Sequence, residues 1–273
     1  MHLLIFVLLA LIFYAPAVRG AEYHLLGSFN VAVREPSGLA YDPKNDSLWT
    51  VQDNGGDLYE IDKKGNVLKR VPLRPPLVQF RFPSLARRGD ILRKALLRSG
   101  DWEGVYYKSD TDTLLLSDER TRQVIEVDRT GKPLKTIKVP IEWHYLDINH
   151  GTEGVAYDAK TKTIFVANEK NPRRVMELKE DGSVVSAFDV KVRKAEHLSD
   201  LYYDTTSDRL LVLARTMILE YTRKGKLLKT FPIEAIKAEG MTKDNKGYLY
   251  IIDESTSILY IYAPEVIPTS SRQ

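Results

Sequence analysis

One motif recurs five times along the 273 residues of this chain. In each copy an acidic residue, usually followed by glycine, opens a short apolar run, and about fifteen residues later a second run ends beside a polar or charged residue. Self-similarity at a regular period indicates a repeat architecture, so the repeat constrains the fold before any single motif does. The five openings contain Glu35, Glu103, Glu153, Asp200 and Glu239, and the closings contain Asp53, Asp118, Asn168, Arg215 and Asp253.

Each repeat has the pattern of four short strands. In the second repeat, polar or glycine-containing turns separate apolar runs at residues 104–107, 114–117, 123–128 and 133–139. Short runs rich in β-branched and aromatic residues, bounded by turn residues, are typical of strands. One repeat therefore predicts a four-stranded meander, and several meanders arranged radially form a β-propeller. The predicted fold class is all-β.

The fifth repeat supplies only three strands, because Ala263 and Pro264 follow its third apolar run. Residues 23–29 have the same pattern as the fourth strands of other repeats, such as residues 226–231. We expect this N-terminal strand to complete the last blade, which closes the ring and leaves no long edge strand exposed. The sequence thus predicts five blades within residues 21–264, followed by a tail at 265–273.

Residues 1–20 lie outside the repeats. Twelve apolar residues occupy positions 3–14, and small residues near Ala21 suit cleavage by a signal peptidase. This stretch is short for an ordinary membrane span, so the alternatives are a signal peptide and an uncleaved N-terminal membrane anchor. The absence of cysteine excludes disulfides, thiolate catalysis and a cysteine-based zinc site. We expect a protein of the bacterial periplasm, or one anchored in the inner membrane and facing the periplasm.

A basic insertion between blades 1 and 2 covers residues 74–100. Seven arginines and lysines stand there against one acid, Asp90. A solvated loop is the plain interpretation, and steering of an anionic ligand, polymer or lipid surface is the functional alternative. The net charge of +3 for the whole chain says little about partners, and we expect no nucleic-acid partner.

The openings predict a metal site. The first strand of a propeller blade lines the central channel, so the five opening acids are expected near the axis. The closing residues Asp53, Asp118, Asn168 and Asp253 end the second strands at the same rim. Like charges at close range raise one another's pKa or recruit a cation. Calcium fits best because it accepts six to eight oxygen ligands. The alternative is that these acids bind backbone N–H groups or pair with arginine.

The fourth repeat departs from the pattern. Asp200 replaces the usual Glu-Gly pair, and Arg215 replaces the acidic closing. Arg215 either neutralises a neighbouring acid or presents a guanidinium group to a phosphate or carboxylate ligand. His150 and His197 each lie three residues before an opening acid, so both are expected at the same rim. The alternative function is hydrolysis, at a site where His150, His197 and Arg215 flank a bound cation.

The repeat segments resemble a known family, the SdiA-regulated, YjiK-like proteins of Gram-negative bacteria. The resemblance spans about residues 23–262 and implies an exported or membrane-associated β-propeller with an N-terminal hydrophobic segment. It also implies links to calcium and, more distantly, to phytase-like and esterase-like propellers. It implies no catalytic residue, because the family offers no catalytic motif to match. The segments that carry the resemblance are residues 35–42, 101–104, 152–158 and 238–241.

Three functions follow as hypotheses. The first is a calcium-binding propeller that senses, scaffolds or binds through its acidic channel. The second is a calcium-dependent hydrolase of phosphate esters or lactones. The third is a metal-free module that docks a protein or another cell-envelope component, since one architecture supports many functions. The expected partners are a divalent cation, a small anionic ligand or envelope component, and the inner membrane.

Overall fold

The computed structural model of the protein describes residues 23–53, 56–73, 100–141 and 151–264. In these residues the chain forms twenty β-strands, which pair into five four-stranded antiparallel sheets. This arrangement confirms the predicted all-β fold, a five-bladed β-propeller. Among the described residues no helix is long and apolar enough to span a lipid bilayer. The predicted leader at 1–20, the insertion up to residue 99 and the tail at 265–273 lie outside the described residues.

The blades follow one another along the chain, and each runs from its innermost to its outermost strand. Blade 1 contains β2 (Pro36–Asp42), β3 (Ser47–Gln52), β4 (Asp57–Ile61) and β5 (Val67–Pro72). Blade 2 contains β6 (Trp102–Lys108), β7 (Thr113–Asp118), β8 (Gln123–Asp128) and β9 (Pro133–Lys138). Blade 3 contains β10 (Thr152–Asp158), β11 (Thr163–Asn168), β12 (Arg174–Lys179) and β13 (Val184–Asp189). Blade 4 contains β14 (Asp200–Asp204), β15 (Arg209–Ala214), β16 (Met217–Thr222) and β17 (Leu227–Pro232).

Blade 5 joins the two ends of the described chain. It contains β18 (Ala238–Lys243), β19 (Leu249–Asp253), β20 (Ile258–Pro264) and, as its outermost strand, β1 (Tyr23–Asn30). β1 pairs antiparallel with β20, from Tyr23 opposite Pro264 to Asn30 opposite Ile258. This pairing confirms that the N-terminal strand completes the last blade.

Burial explains why the strands of one blade differ in pattern. All six residues of β7 are buried, because this strand lies between two neighbouring blades. The outermost strands are largely exposed, as in β9, where only Ile137 is buried. Large side chains such as Trp49, Trp102 and Phe165 fill the space between adjacent sheets. Burial of this apolar surface contributes about 25 cal/mol per Å² to stability and therefore stabilises the packing of neighbouring blades.

The innermost strands meet at the axis with almost no side chain between them. A Cβ atom on Gly154 would lie 2.3 Å from the Cα of Asp200, and one on Gly104 would lie 2.6 Å from the carbonyl oxygen of Glu153. Gly38 and Gly240 occupy the corresponding positions in blades 1 and 5, with equally close backbone contacts. Blade 4 alone places a side chain, that of Asp200, at this level. The close approach of the innermost strands brings the residues that surround the axis near one another.

The propeller has two faces. We call the upper face the end at which the innermost strands begin and the second strands end, near Glu103 and Asp118. The lower face is the opposite end, where the turns between the first and second strands and between the third and fourth strands lie. The repeat motif therefore collects at the upper face.

Candidate metal centre

An inner ring of five residues surrounds the axis at the upper face. Each member directly precedes one of the axial glycines or Asp200, so equivalent positions of the five blades come together. Three members are glutamates, and blades 1 and 4 contribute serines. The hydroxyl of Ser37 donates hydrogen bonds of 2.9 Å to the side chain and to the carbonyl oxygen of Glu103. The inner ring consists of Ser37, Glu103, Glu153, Ser199 and Glu239.

A β-bulge places the ring glutamates. In blade 2, Trp102 pairs with Asp118 and Gly104 with Ser117, so Glu103 is an extra residue in its strand. The register of blade 5 shifts in the same way at Glu239. A bulge re-aims the side chain of the extra residue without ending the sheet. Blade 4 pairs Asp200 with Leu213 and shows no such shift, which agrees with its departure in sequence.

A second ring follows the ends of the second strands. Its members lie one residue after the strand ends, and most of their backbone N–H groups bond to the segment just before the innermost strand. Glu119, for example, donates its N–H to the carbonyl oxygen of Asp101 at 2.9 Å. Four members are acidic and one is basic. The second ring consists of Asp53, Glu119, Glu169, Arg215 and Glu254.

Two clusters of carboxylates form where the rings meet. In each cluster one oxygen from every member lies within 4.8 Å of the others. The first cluster joins blades 1 and 2, and its members are partly buried. The second joins blades 2 and 3, and its members are buried. The clusters are Asp53, Asp101 and Glu103, and Glu119, Glu153 and Glu169.

Burial and mutual repulsion raise the pKa values of four of these acids, Asp53, Glu103, Glu119 and Glu153. Burial is the largest cause at each, and neighbouring carboxylates add to it. The pKa of Asp53 rises to about 7, with Asp101 and Glu254 as the nearest charges. The pKa of Glu119 also rises to about 7. The pKa values of Glu103 and Glu153 lie well above the ordinary range. Ionisation of the clusters at neutral pH therefore requires compensating positive charge.

Basic residues contact the outer members of both clusters. Arg215 lies 3.8 Å from Glu239 and 3.9 Å from Glu169, and Lys237 contacts Glu239 and Glu254. Arg120 contacts Asp101 at 3.1 Å. In contrast, none of the acids in the centre forms a salt bridge with a basic residue of the described ranges. These central acids are Glu103, Glu119 and Glu153.

The lower face provides an internal comparison. There each pair of adjacent blades shares an ion pair within the described residues, so acids meet cations rather than one another. Buried Asp42, for example, contacts Arg129 of the next blade at 2.6 Å. The same chain thus neutralises its acids at one end and groups them at the other. The other inter-blade pairs are Lys108–Glu180, Arg223–Asp158, Lys243–Asp204 and Lys63–Asp244.

Three predicted ligands bind the backbone of the chain itself. Asp253 accepts the N–H groups of Ile236 and Lys237 at 2.7 and 2.8 Å, and its other oxygen bonds to Ser255 and Thr256. Asp118 caps the turn at Thr121, and the amide of Asn168 donates to the carbonyl oxygens of Lys170 and Pro172. Such contacts hold the turns that carry Glu119, Glu169 and Glu254.

Two of the opening acids also lie away from the clusters. Asp200 stands at the axial glycine level, where its oxygens accept the N–H groups of Leu201 and Met241 at 2.8 and 2.7 Å. Glu35 lies two residues before the inner-ring position, with one-third of its side chain exposed, and contacts Arg34 at 3.5 Å. The structure therefore brings together Glu103, Glu153 and Glu239 from the five predicted openings.

The other predicted residues belong to the fourth blade and its border with the third. Nδ1 of His197 bonds to the carboxylate of Glu169, so this histidine lies at the second cluster. Arg215 completes the second ring. His150 lies outside the described residues. The sequence prediction missed Asp101, Glu119, Glu169 and Glu254. The signal for three of them was an acid that directly follows a predicted closing residue, in Asp118-Glu119, Asn168-Glu169 and Asp253-Glu254.

Fold and site together define a five-bladed propeller whose channel opens into a cluster of buried acids. The chain belongs to the SdiA-regulated family, whose model matches residues 26–76 and 80–262. This match confirms the resemblance seen in the repeat segments.

Solved structures share the fold at low sequence identity. Glutaminyl cyclase from Myxococcus xanthus is 12% identical, with a TM-score of 0.62 over 90% of this chain and 97% of that chain. A gluconolactonase from Xanthomonas campestris is 13% identical, with a TM-score of 0.54 over 89% of this chain and 90% of that chain. A chain of a nidogen/laminin complex is 12% identical, with a TM-score of 0.52 over 80% of this chain and 72% of that chain. These proteins differ in function, so the likeness shows the fold alone.

Proposed function

We propose that this protein binds a divalent cation, with calcium as the best match, at the acidic upper face of its channel. The observation that carries the proposal is the group of central acids Glu103, Glu119 and Glu153. They are grouped closely, have raised pKa values and form no salt bridge to a basic residue in the described part of the chain. A bound cation would supply the missing positive charge.

The chemistry of the donors favours calcium. The two clusters offer carboxylate oxygens, which hard cations prefer, and the described site contains a single histidine, His197. Zinc usually takes nitrogen or sulfur ligands, and magnesium demands a tighter octahedral geometry. Glu119, Glu153 and Glu169 would hold one ion. Asp53, Asp101 and Glu103 would hold it from the other side or bind a second.

The role that fits is binding, sensing or scaffolding in the cell envelope. Calcium is abundant outside the cytoplasm, and weak sites made of flexible carboxylates suit that range of concentration. A periplasmic or membrane-anchored location rests on the apolar stretch at residues 3–14. In this proposal the cation joins blades 1, 2 and 3 and so stabilises the ring.

Thermal unfolding with and without calcium tests the proposal. A ligand at about 100 times its Kd stabilises the folded state by about 2.7 kcal/mol, so calcium should raise the melting temperature by several degrees over EDTA. Glu153→Gln should abolish this increase while leaving the EDTA-treated protein about as stable, because a neutral amide replaces a carboxyl group whose pKa is raised by burial. The matched control is Glu180→Gln at the lower face, which should keep the full calcium effect. An unchanged melting temperature in EDTA and calcium would instead support a metal-free interaction module.

Hydrolysis is a second candidate, favoured by the pairing of His197 with Glu169 beside Arg215. A carboxylate that bonds to Nδ1 fixes the orientation of the imidazole, as in many catalytic histidines. His197 would accept a proton from an attacking water, and Arg215 would bind negative charge on a phosphate ester or lactone. A bound cation would act as a Lewis acid.

Activity and cation binding can be separated in this second candidate. His197→Asn should remove hydrolysis of phosphate ester or lactone substrates but preserve the calcium effect on unfolding. Wild-type protein that shows the calcium effect without hydrolysing either class of substrate would leave binding as the function.

A further inference from the structure

An exposed apolar residue marks the outermost strand of every blade at the same height. Each of these strands contains a β-bulge near the lower face, and the extra residue is aliphatic. In blade 1, for example, Ile61 pairs with Val67 and Glu60 with Lys69, which leaves Leu68 as the extra residue. We call these residues the bulge ring: Leu26, Leu68, Leu134, Val185 and Leu228, with exposures of 55, 58, 54, 48 and 41%.

Protection of the sheet edges explains the bulges but not the residues in them. A bulge disrupts the ladder and keeps a second chain from pairing with the outer strand. A polar side chain at the extra position would serve this purpose and would also favour solubility. Five aliphatic residues at one level, with Leu25, Val67, Val184 and Leu227 exposed beside them, instead form a recurrent apolar rim. Exposed aliphatic residues that recur at one position of every blade suit contact with another surface.

Positive charge accompanies the rim. A lysine directly follows the extra residue in three blades, at Lys69, Lys135 and Lys229. Beside Val185, a groove of about 700 Å³ lies on the lower face. Its charged lining has more bases than acids and consists of Lys162, Lys179, Lys224 and Arg223 with Glu177 and Glu180. Aliphatic residues interleaved with lysines suit a surface that is apolar inside and anionic outside.

The path of the chain points to the same face. β1 begins with Tyr23 at the lower face, next to the bulge at Leu26. Eight residues separate Tyr23 from the apolar stretch at 3–14, a reach of at most about 32 Å in extended conformation. Any membrane contact of that stretch would therefore hold the lower face near the bilayer.

We propose that the lower face docks on the surface of an anionic lipid bilayer through the bulge ring and its neighbouring lysines. The aliphatic side chains enter the interface between headgroups and acyl chains, while the lysines contact lipid phosphates. This orientation turns the acidic channel mouth away from the membrane, toward soluble ligands. The inference is independent of cation binding, because it uses the opposite face.

Vesicle flotation of residues 21–273 tests the docking surface without the apolar stretch. All strands of the ring lie between residues 23 and 264, so this form retains every strand. We expect binding to vesicles of phosphatidylcholine with phosphatidylglycerol, and weaker binding to phosphatidylcholine alone. The combined variant Leu68→Ser, Leu134→Ser and Leu228→Ser should reduce the vesicle partition coefficient by about tenfold or more.

Matched variants make the outcome specific. Phe29→Ser with Ile236→Ser removes exposed apolar residues near the upper face and should leave binding unchanged. Lys162→Gln, Lys179→Gln and Lys224→Gln together should reduce binding only to the anionic vesicles. Circular dichroism should show unchanged folding, because all substituted side chains are exposed. The proposal is overturned if wild-type protein binds neither vesicle, or if the upper-face variant loses as much binding as the leucine variant.

Discussion

Asp200 shows how one substitution in a repeat changes the role of an acid. Its position corresponds to the axial glycines of the other blades, so its side chain fills the narrow axis rather than the channel mouth. The oxygens accept N–H groups from Leu201 of its own blade and Met241 of the next. Burial raises its pKa well above the ordinary range, and these backbone bonds oppose that rise. Asp200 therefore joins blades 4 and 5.

Replacement of Asp200 should separate stability from cation binding. Asp200→Ala leaves at least two buried N–H groups without their acceptor, at about 1–3 kcal/mol each. We expect the free energy of unfolding to fall by about 2–4 kcal/mol, measured by urea denaturation, while calcium still raises the melting temperature. Loss of the calcium effect in a folded Asp200→Ala protein would make Asp200 a ligand after all.

The raised pKa values of Asp53 and Glu119 predict an unusual dependence of stability on pH. Both carboxyl groups titrate near pH 7 in the folded protein, against ordinary values of 3.8 and 4.5. At pH values between the unfolded-state and folded-state pKa, the folded protein holds protons that the unfolded protein has released. Stability in EDTA should therefore fall as pH rises from about 4 to about 7. Thermal unfolding across this range measures the effect.

Calcium should reverse this trend, because cation binding requires ionised carboxylates. The increase in melting temperature on adding calcium should therefore be larger at pH 8 than at pH 5. The double variant Asp53→Asn and Glu119→Gln should flatten the EDTA profile. A profile in EDTA that rises with pH would contradict the proposed repulsion among the channel acids.

Strand patterns determine how much of this molecule is predictable from its sequence. Apolar runs and turn residues predict the five blades and the closure by β1, because both depend on local pattern and length. The site is less predictable, because one extra residue in a strand changes which side chains face the channel. The sequence singles out Asp118, Asn168 and Asp253, whereas their neighbours Glu119, Glu169 and Glu254 form the second ring. Asp200 lies at the axial level in blade 4, where the strand pairing shows no such extra residue.

Contacts between blades at the lower face differ in strength according to burial. The side chain of Arg223 is about one-fifth exposed, contacts Asp158 and Glu177, and stacks near the rings of Phe165 and Tyr203. Arg223→Ala leaves two buried carboxylates without their cation and should lower the free energy of unfolding by about 3–5 kcal/mol. The exposed pair Lys44–Asp112 is the control, and Lys44→Ala should change stability by about 0.5 kcal/mol or less. Equal effects in urea denaturation would show that burial does not set the strength of these pairs.

The two faces of the propeller differ in how their charges are balanced. Inter-blade ion pairs hold the lower face together, and the bulge ring presents an apolar rim there. At the centre of the upper face the described residues form no such ion pairs, so we expect this face to gain stability when a cation or protons compensate the acids. Because uncompensated acids at this face would repel one another, we expect the ring to depend on its closure by β1.

Removal of β1 tests this dependence. β1 forms seven residue pairs with β20, and Tyr23 packs against Phe231 of blade 4 at a ring distance of 5.9 Å. A protein lacking residues 1–30 leaves β20 as an unpaired edge, so we expect association in size-exclusion chromatography and a broad, less cooperative unfolding transition. A protein lacking only residues 1–20 is the control and should remain cooperative. A peptide of residues 21–31 should restore the transition by refilling the edge, most strongly with calcium present, because both act on the same closed ring. Monomeric, cooperative unfolding of the shorter protein would show that four complete blades and three strands suffice.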